Sequence, residues 1–221
     1  MTGPYAFFTT ALVHDGRVVW LNDHLDRLEK HAAHFNVPFD REGVRQLARL
    51  TPETELGTRF RTGGGQATSA PDPCFQRLRI SCRLDDRSWD VELFPAPTPV
   101  KEFRCRIVEV EKPLGPWKTL PRRDFGLAEG EEAILVDTTG RVLEGSYTNL
   151  FLVRGETVIT PPADGSILPG ICRAKFLNML KHFGYTVREE PFGVAELKRG
   201  QILLTNALRG VVPGEIVRSE R

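Results

Sequence analysis

Two β-prone, mostly apolar runs make up AFFTTALVHDGRVVW, residues 6–20, on either side of His14-Asp15-Gly16. Such runs broken by an Asp-Gly pair predict two antiparallel strands joined by a tight turn. A helical period then sets in. In DHLDRLEKHAAHF, Leu25, Leu28, Ala32 and Phe35 recur at spacings of three and four. That spacing gives a helix one apolar face, and Asn22 stands where an N-cap belongs. REGVRQLARL predicts a second helix, ending before Thr51-Pro52. The Gly-, Ser- and Pro-rich segment 62–73, TGGGQATSAPDP, cannot continue any periodic element and predicts a mobile loop. Strand patterning resumes over 75–82 and 89–94, and the Pro-rich PAPTPVKEF that follows predicts a linker.

Beyond the linker, EEAILVDTTGRVLEGSYTNLFLVRGETVITP reads as strand, turn, strand, turn, strand, with Thr139-Gly140 and Arg154-Gly155 at the turns. In SILPGICRAKFLNMLKHFGYTV, Pro169-Gly170 precedes an amphipathic helix that Gly184 closes as a C-cap glycine. A short helix around VAELKRG, an apolar run QILLTN and a final VVPGEIV complete the chain. No repeat of fixed period appears. The pattern predicts an α+β protein with an N-terminal domain over 1–95, a linker over 96–116 and a C-terminal domain over 117–221.

Composition narrows the function classes. The chain has 221 residues, 40% of them hydrophobic and 27% charged, enough for one large core or two modest ones. Thirty Lys and Arg against 29 Asp and Glu leave a net charge of +1, which provides no field to attract nucleic acid or an acidic membrane. The cysteines (Cys74, Cys82, Cys105, Cys172) are scattered with no C-x-x-C pair, arguing against a metal site or a disulfide framework and fitting a reducing cytoplasm. No leader-like segment and no run of eighteen apolar residues appears, so the reading is a soluble, cytoplasmic protein.

Four pieces carry candidate chemistry, each an ordinary residue type when taken singly. Lys118, in GPWKTLPRRDF, lies between Trp117 and Leu120. Apolar surroundings disfavour a charged amine and free it to attack a carbonyl, although Pro116 and Pro121 equally suit a surface lysine near a turn. Glu144, in GRVLEGSYTNLF, sits among apolar and small residues, as a carboxylate facing a pyridine nitrogen would, or as a plain strand-end residue would. The turn LPGICRA opens a helix whose first N–H groups and dipole suit a phosphate, with Gly170 permitting close approach. Arg27 offers a planar guanidinium for the same phosphate, or for Asp23 one helical turn back. Jointly the four would hold a phosphorylated pyridine aldehyde.

In order and spacing, FFTTALVHDG, LNDHLDRL, WKTLPRR, DTTGRVLEGSYTNLF, TPPADGSILPGICR and LLTNALRGVVP resemble the fold-type IV enzymes that use pyridoxal 5'-phosphate (PLP). That family contains branched-chain aminotransferases, D-amino-acid aminotransferases and aminodeoxychorismate lyases. The similarity runs from Phe7 to Pro213 and is most specific in E-x-x-x-x-N-L-F and T-P-P…L-P-G-I-x-R. It implies a small α/β N-terminal domain, shortened because longer members carry two further strands before FFTT. It also implies a β-barrel-like C-terminal domain and a homodimer with the cofactor between the two domains. By the same resemblance Lys118 holds PLP as a Schiff base and shuttles protons, Glu144 partners the pyridine nitrogen and Arg27 binds the phosphate. Asn149 and Gly170 belong to the cofactor-binding blocks, Ile171 and Cys172 give backbone N–H groups to the phosphate, and Asn206 and Ala207 close its other side.

TTALVHDG and TNALRG are most similar to the lyase branch. This implies release of pyruvate from 4-amino-4-deoxychorismate, leaving 4-aminobenzoate for folate synthesis. Thr10 or Thr9 would then donate a proton to the leaving group, with Thr9 also placed at the substrate, and Arg209 would steady a carboxylate. A branched-chain or D-amino-acid aminotransferase would keep the same cofactor residues on a small amino-carboxylate. A catalytically inactive dimeric relative is the remaining reading.

Overall fold

In the computed structural model, which describes residues 3–49 and 74–217, Asp15 and Gly16 adopt positive φ angles of 47° and 68°. They join β1 (Ala6–His14) to β2 (Arg17–Val18), with Val13 opposite Val18. Two successive positive-φ residues match the twist of a two-residue hairpin, which is why this pair turns the chain. Helix α1 (Leu21–His34) follows at once. Its N-cap is Trp20, in the left-handed conformation, and not Asn22. The Trp20 backbone makes the reversal, so Asn22 falls inside the helix, where its Oδ1 accepts a hydrogen bond from Arg45 at 3.0 Å.

Leu25, Leu28 and Ala32 of α1 pack with Phe7, Ala11 and Val13 of β1 in one core. Phe35, just past the helix, stacks on Phe7 with ring centroids 5.6 Å apart. Arg41 ties α2 (Arg41–Arg49) to α1 through Asp26 at 2.6 Å and Glu29 at 3.0 Å. β3 (Phe75–Arg83) and β4 (Trp89–Pro95) complete an antiparallel sheet in the order β2-β1-β3-β4. The predicted loop over 62–73 lies outside the described residues.

The stretch 96–116 differs from the predicted linker. FRCRIVE forms β5 (Phe103–Glu109), which buries Phe103 and Cys105 and pairs in parallel with two strands of a second sheet. Phe103, Cys105 and Ile107 alternate with Arg104 and Arg106 in a period of two, but the signal is short and follows a run of prolines that marks the segment as irregular. Next, β6 (Thr119–Leu120) pairs with β1. Residues 118–122 therefore group with those up to Thr98 in a first unit, and Pro99–Trp117 groups with residues from 123 onward in a second. A boundary drawn once along the sequence misses this double exchange.

The second unit continues with β7 (Glu131–Val136), β8 (Val142–Gly145), β9 (Asn149–Arg154), β10 (Thr157–Thr160), α3 (Ile171–His182) and β11 (Thr186–Glu189). A 3-10 helix over Val194–Arg199, β12 (Gln201–Asn206) and β13 (Gly210–Ile216) complete it. Its sheet runs β11-β10-β9-β12-β13-β5-β7-β8. β8 and β9 stand five places apart in that order, yet three residues, Ser146 to Thr148, join them. A flat sheet would separate them by about 24 Å, whereas that connection spans at most about 14 Å. The sheet therefore curls into a barrel-like form. β9 is packed on both faces, Leu150 and Leu152 in one core cluster and Phe151 against α3, where the Phe151 and Phe176 rings meet edge to face at 4.9 Å. Burial on both faces explains its unbroken apolar run. Helices with one antiparallel and one mixed sheet make this an α+β chain.

Candidate active site

Side chains alternate across β1, and its two faces do different work. Phe7 and Thr9 face α1, whereas Phe8 and Thr10 face away from it. Lys118 lies beside β1, its carbonyl accepting the Phe8 N–H at 2.9 Å and its Nζ 5.0 Å from the Phe8 ring centroid. The Arg79 guanidinium stands 5.3 Å from the same ring, and Arg77, two residues earlier on the same face of β3, lies 4.6 Å from the Phe94 ring. Burial holds the Lys118 amine well below the usual lysine range, and the positive charges of Arg27, Arg122, Arg79 and Arg77 push the same way. An amine so placed gives up its proton more readily than an exposed lysine and is the better nucleophile for it.

Helix α1 turns a buried polar stripe, His24, Arg27 and His31, toward this region at spacings of three and four. His24 Nδ1 and Thr9 Oγ1 share a hydrogen bond of 2.7 Å. Burial, then the charges of Arg27 and Lys118, lower the His24 pKa to about 3. His31 is lowered to about 4, first by burial and then by Arg27. Thr9 is wholly buried on the helix side with its hydroxyl engaged by His24. The hydroxyl expected at the substrate is thus committed to His24. Alternation leaves Thr10, not Thr9, on the face of Lys118 and Phe8.

In the second unit Glu144 is buried and clamped. Asn149 Nδ2 donates to Glu144 Oε2 at 3.2 Å and to the Leu168 carbonyl at 2.8 Å, while the Leu168 N–H lies 3.2 Å from both Glu144 oxygens. Two residues on, Gly170 caps α3 without a side-chain cap, and no acidic residue occupies the first turn. The first helical bond runs from Ala174 N–H to Gly170, so the N–H groups of Ile171 and Cys172 precede the helical ladder. Cys172 Sγ meets the Gly210 carbonyl at 3.5 Å, which brings the start of α3 to the turn between β12 and β13. Asn206 Oδ1 accepts the N–H groups of Leu208 and Arg209 at 3.0 and 2.8 Å, shaping the turn that carries Ala207.

Arg209, expected at a substrate carboxylate, lies in the turn between β12 and β13. It borders a cavity of about 220 Å³ whose lining includes Asp124, Glu129, Glu131 and Glu132. Burial lowers the Arg209 pKa against the raising effect of Glu129 and Glu132. A guanidinium set among carboxylates is a poor receptor for another one. Among the described residues, the sequence reading missed His24, His31, Arg77, Arg79 and Arg122. The R-x-R spacing in a strand and the H-x-x-R-x-x-x-H spacing in a helix were signals for four of them.

The profile of the Amino-transferase class IV family matches residues 6–62 and 118–217, resuming at Lys118 itself. The chain belongs to the class IV aminotransferase family. This family member is 37% identical over 206 residues to a probable branched-chain-amino-acid aminotransferase of Thermotoga maritima, covering 86% of this chain and 69% of that one. The chain also matches 19% to 29% of the length of relatives bearing the branched-chain-amino-acid aminotransferase name, and 38% of a branched-chain-amino-acid aminotransferase-like protein of Arabidopsis thaliana. A solved structure provisionally assigned as 4-amino-4-deoxychorismate lyase has TM-score 0.71 and 26% identity, covering 98% of this chain and 86% of its own. A hypothetical aminotransferase from Mycobacterium tuberculosis, with alpha-ketoglutarate and PMP bound, has TM-score 0.76 and 20% identity, covering 98% and 82%.

Class IV enzymes are fold-type IV and PLP-dependent, and the donor set of this chain fits PLP. A depressed lysine suits its aldehyde, and a clamped, buried carboxylate suits its ring nitrogen. An uncapped helix start free of acidic residues suits its phosphate, with a buried arginine as a second anion donor. Among the described residues no cluster of His, Cys, Asp or Glu could hold a metal, and no helix is long and apolar enough to cross a membrane.

Proposed function

We propose that this class IV enzyme is a PLP-dependent lyase that converts 4-amino-4-deoxychorismate to 4-aminobenzoate and pyruvate. The observation that carries this reading is the shared face of Thr10, Lys118 and Phe8: a hydroxyl stands on the side of the depressed lysine, where an eliminating enolpyruvyl group needs a proton. Lys118 would hold the cofactor and take the proton from the substrate ring carbon. Arg27 with the Ile171 and Cys172 N–H groups would bind the phosphate, with Asn206 and Ala207 on its other side. Glu144, oriented by Asn149, would keep the ring nitrogen protonated. When bound, PLP supplies the electron sink. Arg77 and Arg79, on the lysine's face, replace Arg209 as the groups for substrate carboxylates. A cytoplasmic homodimer belongs to the same proposal.

The second reading, a branched-chain aminotransferase, is favoured by the Thermotoga relative at 37% identity. Assay of the PLP-loaded protein with each substrate separates the two. Stoichiometric 4-aminobenzoate and pyruvate support the lyase. Transfer of nitrogen from leucine, isoleucine or valine to 2-oxoglutarate, with no 4-aminobenzoate, replaces it with the aminotransferase. Borohydride reduction should fix the cofactor's mass on the Lys118 peptide in either case, and its absence would remove both readings.

A further inference from the structure

We propose that His31 is the positioning residue for Lys118, its imidazole on α1 accepting the backbone N–H of Lys118 and so holding the lysine segment in place. The inference rests on the reading that Lys118 is the cofactor lysine. The Lys118 N–H lies 2.9 Å from His31 Nε2 across 87 residues of sequence. A backbone N–H can only donate, so Nε2 must carry its lone pair and the ring proton must sit on Nδ1. His31 lies on the same helix as Arg27, four residues on, so one side chain connects the element that carries the candidate phosphate ligand to the backbone of the lysine.

The link matters because the lysine precedes a strand of two residues, β6, too short to hold itself in register. Its carbonyl is fixed by Phe8 and its N–H by His31, so both backbone groups are committed. Burial is the main influence on His31, and the groups whose charges act on it, Arg27, Lys118 and His34, are all cationic when charged and push the same way. The ring therefore stays neutral and able to accept. Without it, the Lys118 segment would bond to water instead and the amine would lose desolvation, the largest cause of its depression.

The test uses apo-protein and pyridoxal, which lacks the phosphate and so bypasses Arg27. Trapping on Lys118 by cyanoborohydride is followed by peptide mass spectrometry between pH 6 and 10, with Lys118→Ala as the blank. His31→Ala and the better-filling His31→Phe should raise the pH midpoint of trapping by a unit or more, slowing it about tenfold at pH 7.5. His31→Gln, whose Oε1 can accept the same N–H, should return the rate to within about threefold of wild type. A midpoint unmoved in His31→Phe, or a Gln variant as impaired as Phe, overturns the positioning role. A wild-type Lys118 that does not trap at all overturns the cofactor-lysine reading instead, so the two failures are distinct.

Discussion

Asn149 holds Glu144 and the Leu168 carbonyl with one amide nitrogen, at 3.2 and 2.8 Å. The buried carboxylate and the turn entering α3 are therefore a single hydrogen-bonded unit. Asn149→Leu leaves Glu144 buried with a bond lost and should cost about 1–3 kcal/mol of stability. Urea unfolding would measure this, with weaker PLP binding by absorbance titration as the companion effect. Unchanged stability would show that the carboxylate does not depend on the clamp.

Gly170 has φ of −65° and ψ of 138°, open to any residue, so what it contributes is space. A Cβ there would collide with Asn149 Oδ1. Gly170→Ala should therefore cost about 1–3 kcal/mol through displacement of that amide. The Gly170→Ala, Asn149→Ala double variant should melt no lower than Asn149→Ala alone; a further loss would locate the strain elsewhere.

Lys118 binds fewer protons folded than unfolded between its depressed pKa and the ordinary value of 10.5. Unfolding thus takes up a proton, so apo-protein stability should rise with pH across that window and approach its ceiling near 10.5. Lys118→Met should melt higher than wild type at pH 7, with the gap closing toward pH 10. A gap independent of pH would contradict the depressed amine.

His24, lowered from 6.5 to about 3, has the same sign. Stability should be full above pH 6.5 and fall as pH drops toward 3, with a slope of up to about 1.4 kcal/mol per pH unit from this group. His24→Gln should remove that part of the slope in denaturation series from pH 4 to 7. An identical slope would mean that His24 does not titrate as its burial requires.

Thr9 and Thr10 should separate by kind of effect. Thr10→Ala should lower turnover by about a hundredfold or more if its hydroxyl gives the proton, leaving the melting temperature near wild type. Thr9→Val strips His24 Nδ1 of its partner and should act on stability, by about 1–3 kcal/mol. Steady-state kinetics and melts of both variants decide the assignment.

The sequence by itself determined the elements whose signal is local. Asp15-Gly16 specifies its hairpin through backbone φ, Leu25, Leu28 and Ala32 specify the buried face of α1 through period, and Lys118, Glu144 and the LPGICR turn stood out through composition and order. Tertiary structure decided what depends on distant partners. It recruited FRCRIVE as a strand because two other strands bracket it, and it carried Lys118 back beside β1. It also gave Thr9 to His24, joined His31 to Lys118 across 87 residues and surrounded Arg209 with carboxylates. Periodicity reports which face of an element is apolar, but the partner of a buried polar group is set by packing between remote segments, where burial and neighbouring charge fix its protonation.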